Sequence, residues 1–172
     1  AICDYLRETE GLKIGVINVA MFRPFPSDLI SRMLRGKKGA TVLERVDQPL
    51  AGDAPLLREV RGAVQKAQEN FRAKGSVPYP GVDAYGYEEA PDFYSGCFGL
   101  GSRDTQAGDY LAAVNNMVSG KGRRFFYLGI DFIRDNPIGA LGEHQAQIST
   151  SYPEVKELAL KPAENKNFLP KD

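Results

Sequence analysis

Apolar positions change period along the 172-residue chain, and each period predicts an element. Ala1 to Glu10 places Ile2, Tyr5 and Leu6 on one side of a helix that Gly11 ends. Lys13 to Ala20 (KIGVINVA) is β-branched and apolar on both faces, as in a strand of a parallel sheet covered by helices. Phe22-Arg23-Pro24-Phe25-Pro26 cannot extend it, because two prolines remove donors and fix φ. Ser27 is then expected to cap a helix from Asp28 to about Arg35, with Ile30, Met33 and Leu34 buried and Gly36 at its end. Ala40 to Leu43 reads as a second strand, and Glu44 to Asp53 as a loop whose Asp53 caps the next helix. That helix, about Ala54 to Phe71, repeats Leu56, Leu57, Val60, Ala63, Val64, Ala67 and Phe71 at helical spacing. Arg58, Glu59, Arg61, Lys66 and Glu69 cover its other face.

From Gly75 to Asp92 the period vanishes among prolines, glycines and tyrosines, which predicts an irregular arm. Phe93 to Phe98 reads as a strand and Thr105 to Val118 as a helix with Tyr110, Leu111, Val114, Met117 and Val118 inward. Arg124 to Asp131 reads as a further strand. The chain then loosens through Asn136-Pro137-Ile138-Gly139 and the Gly142 region. Ser151-Tyr-Pro-Glu154 has the form of a capping box opening a short helix to about Leu160, and Lys161 to Asp172 reads as a tail. This alternation predicts an α/β fold: a three-layer α/β/α domain with a mostly parallel sheet over 1–138, interrupted by the excursion at 75–92. Residues 139–172 are expected to form a C-terminal extension. A chain that opens inside a helix is expected of a piece of a longer protein or a trimmed one.

Composition narrows the function classes. Hydrophobic residues are 42% and charged residues 26% of the chain, the balance of an ordinary globular domain. Lys plus Arg and Asp plus Glu total 22 each, so there is no basic excess to favour nucleic acid. The local runs Lys121, Arg123, Arg124 and Arg35, Lys37, Lys38 precede strands, where charges mostly solvate turns. Cys3 and Cys97 are far apart and in no metal-ligand spacing, which argues against a disulfide scaffold, a zinc site or an iron–sulfur cluster. No apolar run approaches the ~20 residues of a membrane helix, and no signal peptide opens the chain. A reducing cytoplasm is the expected location.

Candidate chemistry is sparse. The single histidine, His144, is expected in a Gly-rich loop beside Glu143, without a nucleophile to serve. Phe98-Gly99-Leu100-Gly101-Ser102, with Arg103 following, lies between a strand and a helix, where backbone N–H groups and a cation could hold a phosphate. Asp104 stands where a third glycine would complete G-x-G-x-x-G, so a tight turn needing positive φ is the alternative. Glu44-Arg45-Val46-Asp47-Gln48-Pro49 follows a strand C-terminus, the edge where ligands and partners meet in open α/β sheets. It reads as a site or an interface on one side and, as readily as those two together, as an ordinary solvated turn.

Three segments occur in one order: Lys13 to Ser27 (KIGVINVAMFRPFPS), Thr41 to Val60 (TVLERVDQPLAGDAPLLREV), and Gly96 to Asp131 with GCFGLGSRD and FFYLGID. Together they resemble the second domain of pyruvate:ferredoxin (flavodoxin) oxidoreductases and related 2-oxoacid:ferredoxin oxidoreductases, a domain similar to the C-terminal domain of transketolase. Members read V-x-L-x-R-P-F, then V-L-D-R-T-K-E-P, then Y-G-L-G-S-K-D, and the resemblance spans most of the chain before residue 139. Glu44, Val46 and Asp47 depart from the family's Asp, Thr and Lys, and Leu50 stands where many members have Gly. The family decarboxylates a 2-oxoacid oxidatively with coenzyme A, using thiamine diphosphate, Mg and iron–sulfur clusters, and reduces ferredoxin or flavodoxin. None of its cofactor-holding signatures is visible here. The resemblance therefore implies an assembly-supporting domain bordering the coenzyme A or cofactor region, inactive alone, with no catalytic residue and no metal ligand. Its partners would be the other domains or subunits of the same oxidoreductase, not nucleic acid or membrane. It makes Arg23, Gly99, Gly101, Ser102, Arg103 and Asp104, with Glu44 and Arg45 at the strand edge, the interface or cofactor-adjacent candidates. Two alternatives are the C-terminal domain of a transketolase or of a thiamine-dependent dehydrogenase's β-chain, and a stand-alone interaction module.

Overall fold

The computed structural model describes residues 1–130 and 139–164. In chain order the elements are α1 (Ile2–Glu10), α2 (Ser27–Leu34), β1 (Gly39–Glu44), α3 (Pro55–Arg72), β2 (Asp92–Cys97), α4 (Ala107–Val118), β3 (Phe125–Tyr127), α5 (Gly139–Ser151) and α6 (Val155–Leu158). Short 3-10 turns lie at Tyr87–Glu89 and Leu100–Ser102. The sheet is small and parallel, ordered β1-β2-β3, which with its helices is the α/β/α class expected. Among the described residues no helix is long and apolar enough to cross a membrane.

The chain divides into two compact units, one of residues 17–95 and one of 1–16 with 96 onward. In the 17–95 unit, Leu57, Val60, Ala63, Val64 and Ala67 of α3 pack with Ile30 and Leu34 of α2, Phe93 of β2 and the buried Tyr85. Each fully buried side chain of Leu size contributes about 1.5–3 kcal/mol by leaving water, so the α2–α3 contact is the main stabilising element of this unit. Lys38 accepts a backbone bond from Asp92 as β1 meets β2. In the other unit, Leu6 of α1 and Leu111 of α4 form a second core with Ile2, Tyr5, Leu12, Ile14, Val114 and Ala163 around them. There Leu128 donates to the Cys97 carbonyl, Leu160 donates to Tyr127, and Ala163 donates to Gly108.

Several expectations change. Lys13 to Ala20 forms no strand, and Val16 is 82% exposed. The Ile14 carbonyl, which a ladder would use, accepts from Arg7 Nε at 2.7 Å; β propensity makes a strand only where an adjacent strand supplies the ladder. Ser27 is the first residue of α2, not its cap; Pro26 holds the cap position, and the Ser27 hydroxyl faces Lys66 Nζ at 3.4 Å. Ser31 takes the buried place expected of Met33, which is exposed, because its hydroxyl is satisfied by the Asp28 carbonyl. Phe71 and Val118, each at the end of its helix stripe, are also exposed. Ala54, not Asp53, is the N-cap residue of α3, and Asp53 pairs with Arg61 at 2.8 Å.

The last strand is shorter than expected, ending at Tyr127, and Asp131 lies outside the described residues, as do Asn136, Pro137 and Ile138. The Gly142 region is helical rather than loose, and His144 sits exposed on α5. Ser151 ends α5 instead of opening a capping box, and α6 follows Glu154.

Candidate functional site

The loop from Glu44 to Asp53 is built by α3. Glu44 closes β1 and is 9% exposed; its carboxylate accepts the backbone N–H groups of Leu56 at 2.6 Å and Leu57 at 3.1 Å. Those are two of the donors a helix start leaves unmet, and a carboxylate also suits the positive helix end. Arg58 donates to Gln48 Oε1 at 3.2 Å, and Arg61 pairs with Asp53. A strand-end carboxylate, a loop amide and a loop carboxylate are thus each joined to one of the first two turns of α3. The loop tip between them carries Leu50, 103% exposed.

Arg23 joins the same helix from the R-P-F turn. Its guanidinium pairs with Glu59 at 2.8 Å and lies 4.2 Å from the centre of the Phe22 ring, itself edge-on to Phe25. Arg23 remains 61% exposed, so the pair contributes at most about 1 kcal/mol. Among the candidates the structure therefore brings Arg23 and Glu44 onto successive turns of one helix, with the exposed Arg45 following Glu44.

Gly99, Gly101, Ser102, Arg103 and Asp104 belong to the other unit. Gly99 (φ 67°), Gly101 (φ 63°) and Ser102 (φ 58°) all take left-handed backbone. That is the tight turn whose conformation glycine adopts without a Cβ penalty. α4 begins only at Ala107, and its first turn is closed by its own Asp109, whose carboxylate accepts from the Gln106 N–H at 2.7 Å. The phosphate-loop arrangement, an uncapped helix start directly after the glycines, is not formed. Arg103 and Asp104 are exposed on the turn.

The sequence shows Arg35 only as part of a basic run, and nothing in it pairs that residue with Glu89 or Tyr85. Arg35 holds Glu89 through two bonds, 2.7 and 3.1 Å, which lower the Glu89 carboxyl and raise the Arg35 guanidinium from their ordinary values. Beneath Arg35, Tyr85 is fully buried, donates to the Ser31 carbonyl at 3.1 Å, and is pushed up to about 12 by burial, with Asp83 adding to the shift. Asn70 is a second missed residue: its amide donates to the Tyr79 and Val82 carbonyls and accepts the Tyr79 N–H, fastening the irregular arm. An arm without periodicity, anchored by one buried amide, leaves no sequence signal.

None of this makes a centre for the implied cofactors. Among the described residues no three His, Cys, Asp or Glu side chains converge as metal ligands. Cys3 is half-buried and Cys97 buried. The donor set fits neither a magnesium diphosphate nor an iron–sulfur cluster, which needs four thiolates or a close substitute.

Residues 1–78 match the model of pyruvate:ferredoxin oxidoreductase core domain II. The chain is 29% identical over 119 residues to pyruvate synthase subunit PorA of Thermotoga maritima, an alignment covering 69% of the chain and 25% of that protein. It is 26% identical over 129 residues to pyruvate-flavodoxin oxidoreductase of a Nostoc species, covering 74% of the chain and 10% of that protein. With pyruvate dehydrogenase [NADP(+)] of Cryptosporidium parvum the figures are 28% over 132 residues, 74% and 6%. The chain thus spans a quarter or less of each of these three relatives. The R-P-F turn and the β1–loop–α3 unit lie within residues 1–78, the part of the chain that is similar to pyruvate:ferredoxin oxidoreductase core domain II.

Proposed function

We propose that this chain works as a component domain of a pyruvate-type 2-oxoacid:ferredoxin or flavodoxin oxidoreductase, supporting assembly and bordering the coenzyme A or cofactor region. The observation that carries the reading is one of proportion: about seven-tenths of the chain aligns, to only a quarter or less of a pyruvate synthase subunit, a pyruvate-flavodoxin oxidoreductase and a pyruvate dehydrogenase [NADP(+)]. The site geometry supports it, since the Glu44 carboxylate is committed to capping and Arg23 to Glu59, leaving them for positioning rather than proton transfer. Thiamine diphosphate, Mg, iron–sulfur clusters and coenzyme A would be held by other domains or subunits, with ferredoxin or flavodoxin receiving the electrons in the cytoplasm. The braced loop 44–53 and the turn at 99–104 are the surfaces this reading assigns to contact with those parts.

Reconstitution tests it. The thiamine- and cluster-binding parts from the same source are expressed with and without this chain, and coenzyme A-dependent reduction of a viologen dye is followed across a panel of 2-oxoacids. Activity and co-elution that both require the chain are expected, with pyruvate the best substrate. Equal assembly and turnover without it would refute the component role.

A further inference from the structure

The residue 1–16 and 96-onward unit carries a cleft of about 460 Å³ between the end of α4, the turn after it and the segment around α6. Lys121, Arg123, Lys156 and Lys161 line it, together with Asn116 and Ser119, and no carboxylate does. In a chain with equal numbers of acids and bases, four cations around one concavity concentrate positive charge. None of the four is in an ion pair with a described residue. The neighbouring Glu154 and Glu157 stand outside the lining.

The cleft is a built feature. The Asn116 side chain accepts from the Arg123 N–H at 2.8 Å and donates to the Arg123 carbonyl at 2.9 Å, locking the turn onto α4. Gly122 lies so close to α4 that a Cβ there would run into the Asn116 carbonyl. On the opposite wall, Ala159 bridges to Tyr127 of β3, and Arg123 Nη1 reaches the Ala159 carbonyl at 3.4 Å. Lys121 and Lys156 are exposed, and neither ammonium donates a side-chain hydrogen bond to a described residue.

We infer that this cleft binds a small organic anion carrying at least two phosphate groups, a site separate from the Arg23 and Gly99–Asp104 surfaces. Its volume lies in the ~300–1,000 Å³ range of small-molecule sites. Ammonium groups are point-charge partners for phosphate oxygens, and a guanidinium can take two at once. Four cations are matched by about four negative charges, against one on a carboxylate and up to about two on a monophosphate.

The full chain, isotope-labelled and at low salt, is titrated with inorganic pyrophosphate and with orthophosphate while backbone amide shifts are followed. Saturable shifts confined to residues 121–123 and 156–161 are expected, with orthophosphate binding more weakly. Lys121→Glu with Lys156→Glu should weaken pyrophosphate binding at least about tenfold, about 1.4 kcal/mol, while Lys74→Glu, exposed in the other unit, should leave it unchanged. If the double variant loses its dispersed spectrum, Lys121→Gln replaces it, with weakening of about threefold expected. No saturation by about 10 mM pyrophosphate, or equal weakening by Lys74→Glu, overturns the inference. So does an unchanged affinity in the folded double or single variant.

Discussion

Glu44 shows how much one side chain can decide. Its two bonds to the start of α3 are made by a buried carboxylate from a different element, so they join β1 to the helix rather than merely closing a helix end. Replacing it with Ala leaves two backbone donors without their acceptor, and a loss of about 2 kcal/mol is expected. Glu44→Gln, which keeps one acceptor oxygen, should lose about half as much; urea midpoints at constant m-value measure both. Tyr85 provides a pH-dependent counterpart. Its folded value of about 12 lies above the ordinary 10, so the folded chain keeps a proton that the unfolded chain releases. Stability from this group is fully present below pH 10 and lost as pH rises from there through about 12. The loss, on the order of 2 kcal/mol, should appear as a falling urea midpoint over that window. Tyr85→Phe should flatten the fall while costing about 1 kcal/mol at neutral pH through the lost bond to Ser31.

At the scale of elements, legibility followed how much of a segment's structure is local. The α3 stripe Leu57, Val60, Ala63, Val64 and Ala67 is where a 3.6-residue period places it, because an 18-residue amphipathic helix presents its face to a core whatever lies elsewhere. Lys13 to Ala20 has an equally clear strand composition and is not a strand, because a strand needs an adjacent edge and Arg7 has taken the Ile14 carbonyl. α5 was illegible for the opposite reason: its Ala and Gln residues favour helix through propensity, with no apolar period to announce it. The candidate site divides the same way. The R-P-F and G-L-G-S-R-D turns were visible as motifs, whereas the links Arg23–Glu59, Arg58–Gln48 and Arg61–Asp53 depend on a packing register that no motif encodes. The arm at 75–92 offers a test of such non-local fastening. Asn70→Ala removes three bonds at once, and a loss of about 3 kcal/mol is expected. Amide exchange should accelerate first in residues 79–85, ahead of the α3 amides; uniform acceleration of both would show that Asn70 holds the whole unit rather than the arm.

For the whole molecule, the question is what a loop tied to α3 with an exposed leucine at its tip is for. Single exposed apolar side chains are common and need no explanation. Leu50 differs in its setting: the segment bearing it is tied to α3 at Glu44, Gln48 and Asp53, so the tip is held in place without folding back to cover its own leucine. On the proposed component reading, such a tip is suited to burial against another domain or subunit, and burying a leucine contributes about 1.5–3 kcal/mol. Leu50→Glu should therefore leave the urea midpoint of the isolated chain within about 0.5 kcal/mol of the parent. In the reconstituted enzyme it should weaken co-elution by roughly tenfold or more. Arg23→Ala gives the comparison, because its exposed pair with Glu59 limits the folding effect to about 1 kcal/mol. If Arg23 borders the cofactor region, turnover falls while assembly persists; if it lies in the interface, both fall together, as with Leu50→Glu. Unchanged assembly and turnover in Arg23→Ala would remove that surface from the site, and unchanged assembly in Leu50→Glu would return the loop to an ordinary solvated turn.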